Sequence, residues 1–144
     1  MRSRPLLVAL LLLAGCTKEA TRPSSFTFVG TWTLISINGS PVPYNFSLSG
    51  YPAKVGSGSL VVRQDSTASF TSVMSSGYFC SPQSADSMCA EPNGTTLALT
   101  WVRSGDQLLT TVVSLGLTYS PFTRVDDSTI TRGGSVAGTE TYRR

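Results

Sequence analysis

The sequence contains no histidine, and only 13% of its residues are charged. Without histidine, the Ser-His-Asp and Cys-His arrangements that activate a nucleophile are absent. Structural zinc sites usually need four thiol or imidazole ligands, and three cysteines with no histidine are too few to supply them. The sequence therefore predicts a protein that is not an enzyme and that uses no metal and no cofactor.

The carboxylates give no catalytic pattern either. Four aspartates fall at predicted turns, where aspartate is favoured because its side chain bonds to nearby backbone: Asp65, Asp106, Asp126 and Asp127. Glu140 is the only carboxylate predicted to lie inside a strand. A glycosidase needs two carboxylates that face each other across a cleft, and nothing in the sequence positions such a pair.

The amino terminus has the three parts of a secretory signal. Arg2 and Arg4 precede an apolar run from Leu6 to Leu13, and the small residues Ala14 and Gly15 follow. A helix needs about 20 apolar residues to cross a bilayer, so this run is too short to span one. Removing the signal leaves nine basic against eight acidic residues, and a net charge of +1 does not predict a nucleic-acid partner.

The segment Leu13-Ala14-Gly15-Cys16 resembles the lipobox of bacterial lipoproteins at all four positions. In that family the cysteine thiol receives a diacylglyceryl group, and the signal is cut before it. The resemblance implies a signal peptide over residues 1–15, a lipidated Cys16 and a membrane as partner in the cell envelope. Thr17 is not the aspartate that retains such proteins at an inner membrane, so the periplasmic face of the outer membrane is expected in a Gram-negative source.

The rest of the chain divides into a short linker and one domain. Residues 16–25 carry charges, a proline and small polar side chains, a composition that predicts a flexible tether. Residues 26–144 are then a single domain. If Cys16 is lipidated, Cys80 and Cys89 are left to pair, and an oxidising compartment permits the bond. Their spacing is not that of a Cys-x-x-Cys redox motif, so we predict a structural disulfide.

Beyond the tether, apolar residues alternate with polar ones between turn signals, which predicts strands. The larger candidates for the inward face are Trp32, Leu34, Leu60, Val62, Phe70, Leu97, Leu99 and Trp101. The chain also has 22 serines and 18 threonines, and threonine favours strands. We predict an all-β domain of about eight strands, an antiparallel up-and-down barrel or, as the alternative, a sandwich.

Turn residues divide this pattern. Asn38-Gly39 predicts a tight turn after the first strand, and Gly133-Gly134 predicts another before the last strand. The prolines Pro41, Pro43 and Pro52 exclude a regular central strand, so their segment is expected to cross the barrel mouth or to form a short edge.

The phrase "GTWTLISINGSPVP" resembles the opening strand of lipocalin-like barrels, in which a Gly-x-Trp motif begins strand one. Gly30 and Trp32 match that motif. In that family the tryptophan plugs the closed end, and an arginine of the last strand lies across its ring; the resemblance implies this role for Arg143 or the adjacent Arg144. The sequence departs from the family in having no helix after the barrel and no second lipocalin motif. In an unrelated sandwich, Trp32 is simply a core residue.

An eight-stranded barrel has an interior that side chains fill or that holds one small ligand. We therefore predict a lipid-anchored envelope protein that binds a small hydrophobic ligand, with Leu60, Phe70, Leu99 and Trp101 as candidate lining residues. The alternative is a structural or protein-interaction component of the envelope with a filled core. That alternative predicts an exposed apolar patch, for which the segment from Leu108 to Val113 is the candidate, and the sequence does not identify a protein partner.

Overall fold

The computed structural model describes residues 26–76, 89–90 and 94–144. Its strands are β1 (Gly30–Ile37), β2 (Ser40–Pro41), β3 (Tyr44–Leu48), β4 (Tyr51–Val62), β5 (Thr67–Ser76), β6 (Cys89–Ala90), β7 (Thr95–Ser104), β8 (Gln107–Val112), β9 (Phe122–Arg124), β10 (Thr129–Ser135) and β11 (Gly138–Arg143). The predicted signal peptide, Cys16 and the tether lie outside the described residues. So does Cys80, and only the backbone of Cys89 is described, so the predicted disulfide remains a prediction.

Eight of these strands close an antiparallel barrel. Its order is β1, β4, β5, β7, β8, β9, β10 and β11, and β11 pairs with β1 again. Apart from the short strands β2, β3 and β6, neighbours in the barrel are neighbours in the chain, which is an up-and-down topology. A sandwich leaves strand edges open, whereas here the β1–β4 pairing closes the sheet. The predicted all-β, lipocalin-like barrel is confirmed.

The alternation of the sequence produces this barrel. In β1, Trp32 and Leu34 are buried while Thr31 and Thr33 are exposed, because successive side chains of a strand point to opposite faces. The other predicted inward residues follow the same pattern: Leu60, Val62, Phe70 and Leu99 are buried, and Leu97 and Trp101 are partly buried against the core.

Most of the proline-containing segment forms short edge strands, as predicted, but Pro52 lies at the start of β4, a central strand of the barrel. β2 contains Pro41 and pairs with the end of β1. β3 pairs with the first half of β4, where Pro52 lies opposite Ser47, and Pro52 has no partner in β5. β4 is therefore long enough to serve β3 at one end and β1 at the other.

The prediction of a turn at Gly133-Gly134 is wrong. β10 continues to Ser135, and the chain reverses at Val136 and Ala137. The glycines form a bulge instead, since the register with β11 shifts between Arg132 and Ser135 and Gly134 has a φ of 74°. A bulge with glycine in the left-handed region and a tight hairpin turn both use positive φ, so glycine suits either.

Asn38 ties two turns together at one end of the barrel. It occupies the predicted Asn38-Gly39 turn with a φ of 50°. Its amide Nδ2 donates to the carbonyl of Ala137 at 3.1 Å, and its Oδ1 accepts from the amide of Thr139 at 2.9 Å. Gly138 has a φ of 120°, and a Cβ there would clash with the Asn38 amide. Only glycine therefore allows this close approach.

Candidate functional site

The two ends of the barrel are built differently, and the end at which β1 begins is filled. Phe26 and Phe28 precede β1 and pack edge to face, with ring centroids 4.8 Å apart. Trp32 is 0% exposed, and its indole Nε1 donates to the carbonyl of Phe28 at 2.7 Å. These aromatic side chains pack into the core at this end, which we call the closed end.

The arginine that covers Trp32 is Arg144 and not Arg143. The Arg144 guanidinium carbon lies 5.0 Å from the centroid of the tryptophan ring, a cation-π geometry. The strand period of two explains the correction, because it places Arg144 on the same face as buried Tyr142 and turns Arg143 to the exposed outer face. A Cβ at Gly30 would lie 3.2 Å from Cδ of Arg144, so glycine leaves room for the arginine stem.

The opposite end, the open end, contains a half-open cavity of about 340 Å³. Its walls come from β4, β5, β7, the loop after β8, and the β10–β11 turn. The apolar side chains among them are Val55, Phe70, Met74, Leu97, Tyr119 and Val136. Hydroxyl groups of Ser72, Thr95 and Ser120 interrupt this apolar surface. A concave, mainly apolar space with a few polar groups is the usual form of a small-molecule site.

Of the four predicted lining residues, only Phe70 lines this cavity. Leu60 and Leu99 are almost completely buried in the packed core. Trp101 lies toward the closed end, where its indole donates to the carbonyl of Arg63 at 3.0 Å. Alternation identifies the face of a strand that points inward, but not how far along the barrel axis a residue lies, so these three residues do not line this cavity.

An ion pair that the sequence reasoning missed also lines the cavity. Arg132 of β10 and Glu140 of β11 are directly opposite each other, and each is 6% exposed. Both Nε and Nη2 of Arg132 donate to Oε2 of Glu140, at 2.9 and 2.7 Å. The hydroxyl of Tyr142 donates to the same oxygen at 2.5 Å. We call these three residues the polar base.

Aromatic rings hold the Arg132 guanidinium in place. Its central carbon lies 4.6 Å from the ring centroid of Phe70, 5.2 Å from that of Tyr119 and 5.5 Å from that of Phe122. Burial, reinforced by the negative charge of Glu140, raises the pKa of Tyr142, so its hydroxyl stays protonated and donates. The polar base is therefore preorganised and carries no net charge.

Two sequence signals point to these residues in retrospect. Glu140 is the only carboxylate predicted inside a strand, and alternation puts it on the same face as Tyr142. Similarly, Arg132 shares its face with the apolar Ile130. A charged residue on an inward face of a strand has to find a partner, because an unpaired charge is too costly to bury.

The turn aspartates lie at the closed end, away from Glu140. Asp65 accepts from the Thr67 hydroxyl at 2.6 Å and from the Thr67 amide at 3.0 Å, and these bonds lower the pKa of Asp65. Asp126 makes the same kind of contact with Ser128. These bonds within the turn are the ones for which aspartate is favoured there.

The segment from Leu108 to Val113 alternates regularly. Leu108 and Val112 are buried inside the barrel, whereas Val113 is exposed. The loop that follows adds Leu115 and Leu117, which are 65% and 60% exposed. The backbone amide of Val112 donates to the carbonyl of Leu117, which folds this loop back onto β8. Exposed apolar side chains therefore begin where the predicted segment ends.

No protein-family model, no curated protein and no solved structure matches this chain. Across the three described ranges, no helix is long and apolar enough to span a membrane.

Proposed function

We propose that this protein binds one small apolar molecule in the cavity at the open end of the barrel. The observation that carries the proposal is the contrast between the two ends. Side chains fill the closed end, whereas the open end keeps a half-open space of about 340 Å³ with mainly apolar walls. Ligand sites typically measure about 300–1,000 Å³, so this cavity suits a small ligand such as a medium-length acyl chain.

Filling the cavity is expected to abolish binding. Ser72 lines the cavity from β5, so Ser72→Trp places an indole inside it. Titration of wild type with phenylnaphthylamine, an uncharged apolar dye, should give saturable one-to-one fluorescence enhancement, and Ser72→Trp should lose most of it. Ser69→Trp is the matched control, because alternation places Ser69 on the outer face of the same strand. Equal dye binding by both variants would contradict a site inside the barrel.

The proposal includes a location, the cell envelope, with lipid chains on Cys16 as the anchor. Support comes from the match of Leu13-Ala14-Gly15-Cys16 to a lipobox behind a signal-like apolar run. Phe26, the first described residue, packs at the closed end. A tether that enters there approaches the barrel at the end opposite the cavity.

Replacing Cys16 by serine is expected to move the protein from the membrane fraction to the soluble fraction. Each buried methylene contributes about 0.8 kcal/mol, and stable attachment needs more than one acyl chain, which lipidation of one cysteine supplies. Membrane fractionation with immunodetection measures the effect. Thr17→Ser keeps the cysteine and should stay with the membrane. Membrane retention of Cys16→Ser would contradict the anchor.

A second candidate function is protein interaction in the envelope. Three apolar side chains, Val113, Leu115 and Leu117, are each at least 60% exposed within five residues, and such clusters mark interaction surfaces when they form a large patch. A stoichiometric partner recovered from detergent extracts by wild type and lost with Leu115→Ser and Leu117→Ser together would favour it.

A further inference from the structure

We infer that the cavity selects an uncharged amphiphile whose head group both donates and accepts hydrogen bonds, such as a carboxamide or a lactam, and that this head binds the Arg132–Glu140 pair. This inference rests on the proposed ligand-binding function and specifies its ligand class.

Hydrogen bonding within the pair converges on a single carboxylate oxygen. Nε and Nη2 of Arg132, together with the hydroxyl of Tyr142, all converge on Oε2 of Glu140. Within the described part of the chain, Nη1 of Arg132 and Oε1 of Glu140 therefore have no protein partner. Neither atom is completely buried, and both residues line the cavity. At the wall of the cavity, Arg132 thus keeps unused N–H donors and Glu140 keeps an unused acceptor oxygen.

The Arg132–Glu140 pair as a whole carries no net charge. The guanidinium and the carboxylate neutralise each other at 2.7 Å, so a charged ligand head would leave an uncompensated charge among apolar walls. A ligand carboxylate would meet the negative Glu140, and a ligand ammonium would meet the positive Arg132. Both heads would also lose their hydration on entering the cavity. A neutral head that donates and accepts can bond to both atoms, adds no charge and loses less hydration free energy than a charged head.

The Arg132–Glu140 pair lies at the inner end of the cavity. Ile130 and Tyr142, the next inward residues toward the closed end, are 0% exposed, so the cavity ends at the Arg132–Glu140 pair. The remaining walls toward the mouth carry Met74 and Val136 among other apolar groups. A ligand therefore places its polar head at the base and its apolar body toward the mouth. Because three aromatic rings hold the guanidinium, the base needs little rearrangement to bind the head.

Four ligands, each built on a ten-carbon chain with a different head group, test the inference. Decanamide donates and accepts, methyl decanoate only accepts, decanoate is an anionic acceptor, and decylammonium is a cationic donor. Each is titrated at pH 7.5 against phenylnaphthylamine bound to the wild-type barrel. Decanamide is expected to displace the dye with a Kd about tenfold lower than the other three, since a hydrogen bond to a charged group changes binding by at least that factor.

The variant that tests the assignment replaces both charges, Arg132→Met with Glu140→Leu, because losing one alone leaves a buried unpaired charge. We expect its affinity for the dye to rise and the four Kd values to converge to within about threefold, with the loss of the hydrogen bonds that separated them. Arg63→Met, which removes an exposed guanidinium, should keep the wild-type ranking.

The outcomes separate this inference from the function beneath it. If wild type binds neither the dye nor any of the four ligands, the proposed function fails and the inference fails with it. If the dye binds but decanoate or decylammonium binds more tightly than decanamide, the function stands and the neutral-head inference is overturned. An unchanged preference for decanamide in the double variant would overturn the role of Arg132 and Glu140.

Discussion

Arg132→Met is expected to destabilise the barrel by about 3–5 kcal/mol, the usual cost of removing one partner from a buried ion pair. The variant leaves the Glu140 carboxylate 6% exposed with only the Tyr142 hydroxyl as a hydrogen-bond partner among the described side chains. Urea unfolding followed by intrinsic fluorescence measures the free energy of unfolding, and the whole effect should appear as a lower midpoint with an unchanged slope.

Two further variants show whether burial is the cause. The double variant, Arg132→Met with Glu140→Leu, should return to within about 2 kcal/mol of wild type, because well-packed apolar residues replace a buried pair at little cost. Asp127→Asn breaks the Arg124–Asp127 pair, whose carboxylate is 78% exposed, and should cost less than about 1 kcal/mol. If the double variant loses as much stability as the two single variants together, the account of the pair is wrong.

The second large effect is expected at the closed end. Trp32→Ala should cost about 3–5 kcal/mol, because the ring is completely buried and its removal leaves a cavity. It also removes the hydrogen bond to the Phe28 carbonyl and the ring beneath Arg144.

Trp101→Ala provides the comparison on the same scale. Trp101 is only partly buried, so its removal should cost about half as much as that of Trp32 or less. Each variant keeps a different single tryptophan, so the fluorescence signals of the two variants are not directly comparable. Circular dichroism during urea unfolding therefore measures both. Equal losses for the two tryptophans would contradict the conclusion that Trp32 fills the closed end.

Local signals were enough to predict the all-β class and the buried faces of the main strands. Alternation identified the buried faces of β1, β4, β5 and β7, because burial on one side of a strand repeats every second residue. Closure itself was predicted through the likeness of Gly30 and Trp32 to a barrel motif, and the β1–β4 pairing confirms it.

Predicting the polar base requires the pairing register between β10 and β11, and the local turn signal predicted that register incorrectly. A two-residue turn at Gly133-Gly134 would place Arg132 opposite Ser135, on the other side of that turn. The observed bulge shifts the pairing, so Arg132 lies opposite Glu140 instead. The hairpin beyond this bulge also makes hydrogen bonds with the side chain of Asn38, at Ala137 and Thr139. Asn38 is about a hundred positions away in the chain, so local signals do not show these contacts.

Local sequence also does not predict how far along the barrel axis an inward side chain lies. Leu60, Phe70 and Leu99 share an inward face, yet only Phe70 reaches the cavity. Their heights follow from the stagger between strands, which long-range pairings such as β1–β11 determine. The sequence therefore specified which side chains point inward, while the three-dimensional register decides which of them are available to a ligand.

The central claim is that the open end holds one small apolar ligand, and nuclear magnetic resonance tests it most directly. On titration with decanamide, resonances of Met74, Leu97 and Tyr119 should shift and saturate at one equivalent, while the indole of Trp32 stays unchanged. Shifts confined to the loop after β8, which carries Leu115 and Leu117, or no saturable shift at all, would contradict the claim.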